Sequence, residues 1–136
     1  MVKVKNLSEI PYEDGYVYLA SPYSGTDFEQ QLRYQHTLYA TKLIFDESFA
    51  VFSPIVHCHE LAHSYSLPKD STFWGLYNSI MLRAASEVWI LMLLGWEHSQ
   101  GVANERTYAE QLGRPVRYLY FPPEMDRLLV METEKA

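Results

Sequence analysis

The run Val88-Trp89-Ile90-Leu91-Met92-Leu93-Leu94 constrains the fold more than any other stretch, because it has no polar face at all. A strand with one side in water alternates apolar and polar residues, whereas a strand covered on both sides does not. Strands of the second kind belong to parallel sheets held between two layers of helix. The run is also far too short to span a bilayer, which takes about 20 apolar residues. It therefore reads as a buried central strand, closed by Gly95.

The rest of the chain agrees with that reading. Tyr16-Val17-Tyr18-Leu19-Ala20 is a second buried strand that runs into the loop Ser21-Pro22-Tyr23-Ser24-Gly25. Asp27 reads as an N-cap, and Phe28, Leu32, Tyr39 and Leu43 recur at helical spacing over 27–46. Phe49 to Phe52 is a short strand stopped by Ser53-Pro54, and 55–66 is a short helix or a loop ended by Pro68. Ser71 or Thr72 caps a further helix with Leu76, Ile80 and Ala84 on one face. Val102 to Leu112 is a helix ended by Gly113, and Pro115 to Phe121 is the last strand. Residues 1–15 read as an irregular lead-in and 122–136 as a tail, which leaves 16–121 as the domain proper.

Strands alternating with helices imply right-handed crossovers and a three-layer α/β domain. The expected fold is a flavodoxin-like, doubly wound parallel sheet of four or five strands. Ligands of such sheets sit outside the carboxyl ends of the strands, near the point where strand order reverses. That rule puts the site between the loops 21–25 and 95–101.

Composition narrows the partners. A net charge of −6 over 136 residues argues against binding duplex nucleic acid, which needs clustered Lys and Arg. One cysteine, Cys58, excludes an intramolecular disulfide. The start, Met-Val-Lys-Val-Lys-Asn, lacks the apolar run of a signal peptide, so a cytoplasmic location and no membrane contact are expected. Eleven tyrosines exceed what a core wants, since each buried phenol needs a hydrogen-bond partner, and some are expected in a pocket or a subunit contact. No G-x-G-x-x-G or Walker pattern occurs, so nothing calls for a dinucleotide or ATP.

Two motifs carry chemistry. In Gly95-Trp96-Glu97-His98-Ser99-Gln100-Gly101, Ser99 and Gly101 stand where a helix begins, and its outward amides suit an anion. Glu105 follows at about the first turn, where the helix dipole favours its ionised form, and an ionised carboxylate there can act as a nucleophile. The plain alternative is a good first-turn residue. The other motif is His59-Glu60-Leu61-Ala62-His63, the H-E-x-x-H pattern of zinc hydrolases. Pro54 and Pro68 leave room for only a short helix around it, and pocket-lining or surface histidines are the alternative. Cys58, between two histidines, reads as a small buried hydrophobe.

Taken together, Tyr18-Leu19-Ala20-Ser21-Pro22-Tyr23-Ser24 and Gly95 through Glu105 resemble the nucleoside 2-deoxyribosyltransferase superfamily, including deoxynucleoside 5′-monophosphate N-glycosidases. The similarity covers residues 16–121. It implies hydrolysis or transfer at an N-glycosidic bond, with Glu105 of the S-x-G-x-x-x-E pattern as nucleophile. Ser21, Ser24, Ser99 and Gly101 then contact sugar or phosphate, with Gly25 closing the first loop and Tyr23 as the early aromatic. Many relatives open the third strand with an aspartate where this chain has Glu87, and Asp70 is the candidate acid near the base. Either carboxyl is a candidate to protonate the departing base, and Trp74, Tyr23 or Trp96 to stack on it. The resemblance implies a homodimer or larger assembly and requires no cofactor or metal. A nucleotide-binding protein without turnover is the main alternative, and a zinc hydrolase the third.

Overall fold

The computed structural model describes residues 2–12, 14–68 and 70–133. Six strands form one sheet in the order β1-β6-β5-β4-β2-β3. Their ranges are β1 Val2–Asn6, β2 Val17–Ala20, β3 Val51–Phe52, β4 Glu87–Leu91, β5 Val116–Tyr120 and β6 Leu129–Thr133. Four helices accompany them, α1 Asp27–Asp46, α2 Pro54–Tyr65, α3 Ser71–Ala84 and α4 Gln100–Gln111.

The four strands β5-β4-β2-β3, with β3 at the edge, are mutually parallel, in keeping with the flavodoxin-like fold expected from the sequence. Strand alternation divides their side chains between two cores. Val17, Leu19, Trp89 and Leu91 pack with Ala40 and Ile44 of α1. Tyr18, Ala20, Val88 and Ile90 pack with Leu82 of α3 and with Val102 and Ala109 of α4. Every residue of Val88–Leu91 is fully buried, as a strand covered on both faces must be.

The sheet is wider than four or five strands and is not wholly parallel. The lead-in contains β1 and a 3-10 turn at Leu7–Glu9, and the tail contains β6. Met1, Glu13 and residues 134–136 of those two segments lie outside the described residues. β6 adds antiparallel to β5, and β1 adds antiparallel to β6, so both segments share the core of the domain. Leu7, Ile10, Leu128 and Val130 are buried there.

Two helix faces also differ from expectation. In α1 the cap is Thr26, which closes a reciprocal capping box with Glu29, and Asp27 is the first helical residue. The buried face carries Tyr34, Thr37, Ala40, Thr41 and Ile44, whereas Phe28, Leu32 and Tyr39 face outward. In α3 the cap is Asp70 rather than Ser71 or Thr72, and Leu76 and Ile80 are exposed. Spacing identifies a helix, but a short polar face such as Thr37-Ala40-Thr41 can be the one that meets the sheet. The stretch left as helix or loop is α2, capped by Ser53 and ended by Ser66 in the left-handed conformation.

Arg117 ties the widened edge to the centre. Its guanidinium meets Glu87 of β4 at 2.9 Å and Glu132 of β6 at 2.5 Å, and all three side chains are mostly buried. Arg117→Met leaves Glu87 without its cation and Glu132 with Lys5 alone. It should cost roughly 1.5–3 kcal/mol, the range for hydrogen bonds to charged groups. Urea denaturation reads this directly, and an unchanged midpoint would show that the cluster does not hold the edge.

Candidate functional site

β2 and β4 end side by side, Ala20 opposite Ile90, and the chain leaves each into one of the two loops singled out in the sequence. Arg33 of α1 staples these loops together, donating to the Ser24 carbonyl and, at 3.2 Å, to the Leu94 carbonyl. A side chain on Gly95 would crowd that guanidinium, and Gly95 also has a φ of +88°. The loops enclose a cavity of about 440 Å³ at the carboxyl end of the sheet.

Eight of the eleven expected site residues line this cavity: Ser21, Tyr23, Ser24, Asp70, Trp74, Ser99, Gly101 and Glu105. Ser99 N-caps α4, its hydroxyl accepting from the Val102 amide at 3.2 Å. Asp70 caps α3 through the Phe73 amide at 2.8 Å while also facing the cavity, so its capping and pocket readings hold together. The Trp74 indole is held by a 2.7 Å bond from Nε1 to the Pro68 carbonyl. Ser21 is buried and accepts from the Thr37 hydroxyl at 3.3 Å.

Three expected residues do not belong to the cavity. Glu87 opens β4 and so stands at the amino end of the sheet, opposite the site. It accepts from Arg117 and from the Trp89 indole, both at 2.9 Å, and its work is structural. Gly25 lies beyond the lining residues, where a Cβ would come within 2.9 Å of Glu29 and crowd the capping box of α1. Trp96 packs behind the loop on Tyr118, with ring centroids 5.7 Å apart, and is not a stacking platform.

Glu105 is the electrostatic centre of the cavity. It lies in the second turn of α4, past the reach of the helix terminus, so the dipole does not set its charge. Burial instead raises its carboxyl to about 7, while a hydrogen bond from the Tyr18 hydroxyl opposes that rise. Tyr18 is itself fully buried, and desolvation with the neighbouring carboxylate keeps its phenol protonated. Burial also pushes the Tyr23 phenol to about 12 and the Cys58 thiol to about 11, so Cys58 carries no thiolate at neutral pH.

Sequence reasoning missed Tyr18, Asn78, Asn104 and Tyr108 as lining residues. The signal for Tyr18 was a hydroxyl inside a doubly covered strand, which demands a buried partner. The signal for Asn78 was its position one turn beyond Trp74 and two beyond Asp70, on one helical face.

The H-E-x-x-H segment lies on α2 as a helix of 12 residues, with His59 and His63 ring centroids 4.2 Å apart. His59 is turned inward, however, between the Tyr23 hydroxyl and the Gln31 side chain. Among the described residues, no three His, Cys, Asp or Glu side chains converge as a metal site would need. Nor is any described helix long and apolar enough to cross a membrane.

Comparison with curated proteins returns no match. Residues 15–120 match a family model described as a domain of unknown function, DUF1937, and this span contains the four parallel strands, all four helices and every residue of the cavity. The chain belongs to the DUF1937 family.

Proposed function

We propose that the protein cleaves or exchanges the N-glycosidic bond of a deoxynucleoside or its 5′-monophosphate, with Glu105 as nucleophile. The observation that carries this reading is a carboxyl buried in a ligand-sized cavity, hydrogen-bonded to Tyr18 and held at about 7. The family's relation to nucleoside 2-deoxyribosyltransferase-like proteins supports it, as do the two loops on which the resemblance rests.

In this mechanism the bond from C1′ to the base nitrogen breaks as positive charge grows on the sugar. The Glu105 carboxylate stabilises that charge and closes on C1′ to form a deoxyribosyl ester, as in retaining glycosidases. The departing base needs a proton, and Asp70, the other carboxyl lining the cavity, is the side chain placed to carry it in its protonated form. Water then releases the sugar, or a second base takes it. Ser24, Ser99 and Gly101 hold the sugar or phosphate near the first turn of α4, and Trp74 receives the base. None of these steps requires a cofactor or metal, and the partner is a small molecule rather than duplex nucleic acid or membrane. A cytoplasmic setting suits such a substrate.

A second copy of the chain is the proposed cover for α3. Phe73, Leu76, Tyr77 and Ile80 form an exposed apolar stripe at helical spacing on the helix whose inner face walls the cavity, with Leu76 73% exposed. An uncharged stripe of this kind is self-complementary about a two-fold axis. Leu76→Glu should sediment as a monomer beside a dimeric parent, and a monomeric parent would remove this part of the proposal.

The main test is chromatography of deoxynucleosides and their 5′-monophosphates after incubation with the parent protein and with Glu105→Gln, across a range of pH. The parent should release free base, and the variant should lose roughly a thousandfold or more of that rate. The nucleophile is the ionised form, so the rising limb of the rate should lie near pH 7. Tyr18→Phe removes a bond that favours the ionised form, so its rising limb should lie at higher pH. Tight binding without release of base, unaltered in Glu105→Gln, would leave a binding protein instead.

A further inference from the structure

The first histidine of the H-E-x-x-H segment has no part in the chemistry proposed above, yet it stands directly behind Tyr23, which lines the same cavity. His59 is 2% exposed, with its ring stacked on Tyr34 at 4.0 Å and 16°. Its Nδ1 lies 2.6 Å from the Tyr23 hydroxyl, and its Nε2 lies 3.1 Å from Oε1 of Gln31. The Tyr23 ring meets it edge-on, with centroids 5.6 Å apart. A line of contacts therefore runs from Gln31 on α1, through His59 on α2, to Tyr23 at the cavity.

The polarity of this line follows from what each atom can do. A carbonyl oxygen such as Gln31 Oε1 only accepts, so it calls for a proton on Nε2 of His59. A neutral imidazole with its proton on Nε2 leaves Nδ1 as an acceptor. The Tyr23 hydroxyl must then donate to Nδ1, and it has only one hydrogen to give. What it turns toward the cavity is a pair of acceptor sites.

We propose that His59, oriented by Gln31, is a positioning residue that fixes Tyr23 as a hydrogen-bond acceptor in the cavity. Tyr23 then receives a hydroxyl or amino group of the ligand and is not the proton donor to the departing base. The ligand named here rests on the nucleoside reading given above, while the polarity of the line does not. It also answers what the H-E-x-x-H pattern is doing in this chain: His59 acts through a tyrosine and holds no metal.

Nitrogen NMR of protein labelled at histidine tests the polarity without any ligand, with the His59 signals assigned by their loss in His59→Asn. A protonated Nε2 and a bare Nδ1 are expected. A proton on Nδ1, alone or together with one on Nε2, would make Tyr23 free to donate and would overturn the proposal. For the ligand, the panel of deoxynucleosides and monophosphates is used again. Tyr23→Phe and His59→Phe should each raise KM by roughly three- to tenfold, as one neutral hydrogen bond allows, with kcat little changed. The double variant should be no worse than either single one. His59→Asn keeps an acceptor near the position of Nδ1 and should recover most of the loss. If no base is released, the glycosidic reading fails by itself, and the same variants are compared by calorimetric binding of the monophosphates. Additive losses, an unmoved affinity in His59→Phe, or a fall in kcat alone in Tyr23→Phe would each count against the positioning role.

Discussion

A carboxyl group pressed against a buried phenol is the interaction on which the rest of the site depends. Tyr18 reaches Glu105 because β2 alternates. Val17 and Leu19 turn to the α1 side of the sheet, and Tyr18 and Ala20 turn to the α3 and α4 side. Glu105 reaches Tyr18 because Ser99 sets where α4 begins. Low dielectric makes the charged carboxylate costly, and the one phenolic hydrogen bond offsets part of that cost. The outcome is a group near 7, poised to change charge in the pH range where cells work.

The two ends of the sheet are organised by two arginines with different tasks. At the carboxyl end, Arg33 donates to backbone carbonyls of both loops, so it fixes their spacing without adding a paired acid to the cavity. At the amino end, Arg117 gathers Glu87 and Glu132 and draws β6 onto the parallel core. Charge is thus spent on architecture at one end, while at the other Glu105 is left buried in a mostly apolar wall, with the helix-capping Asp70 as the second carboxyl. That separation is why a glutamate on a central strand can look catalytic in the sequence and be structural in the fold.

The central sheet and the location of the cavity were legible in the sequence for direct physical reasons. An apolar run without alternation has few homes other than a doubly covered strand, and the loops after β2 and β4 are rich in Gly, Ser and Pro. Eight of the site residues named from those loops and from α3 meet in one cavity. What misled was one-dimensional. Phe28, Leu32 and Tyr39 have the spacing of a buried face, yet the sheet takes the side with Thr37, Ala40 and Thr41, because small residues let α1 approach closely. Glu87 is only a few residues from the apolar run, but a strand has two ends and the sequence around it does not say which faces the ligand. β1 and β6 were missed because they pair with each other across nearly the full chain, Val4 with Met131.

The most direct measurement of the central claim is acid-quenched peptide mass mapping of the protein mixed with a deoxynucleoside 5′-monophosphate. The account predicts a deoxyribosyl phosphate ester on the peptide that contains Glu105, formed as free base appears and missing in Glu105→Gln. Release of base with no ester on any peptide, or an ester on a different side chain, would contradict it.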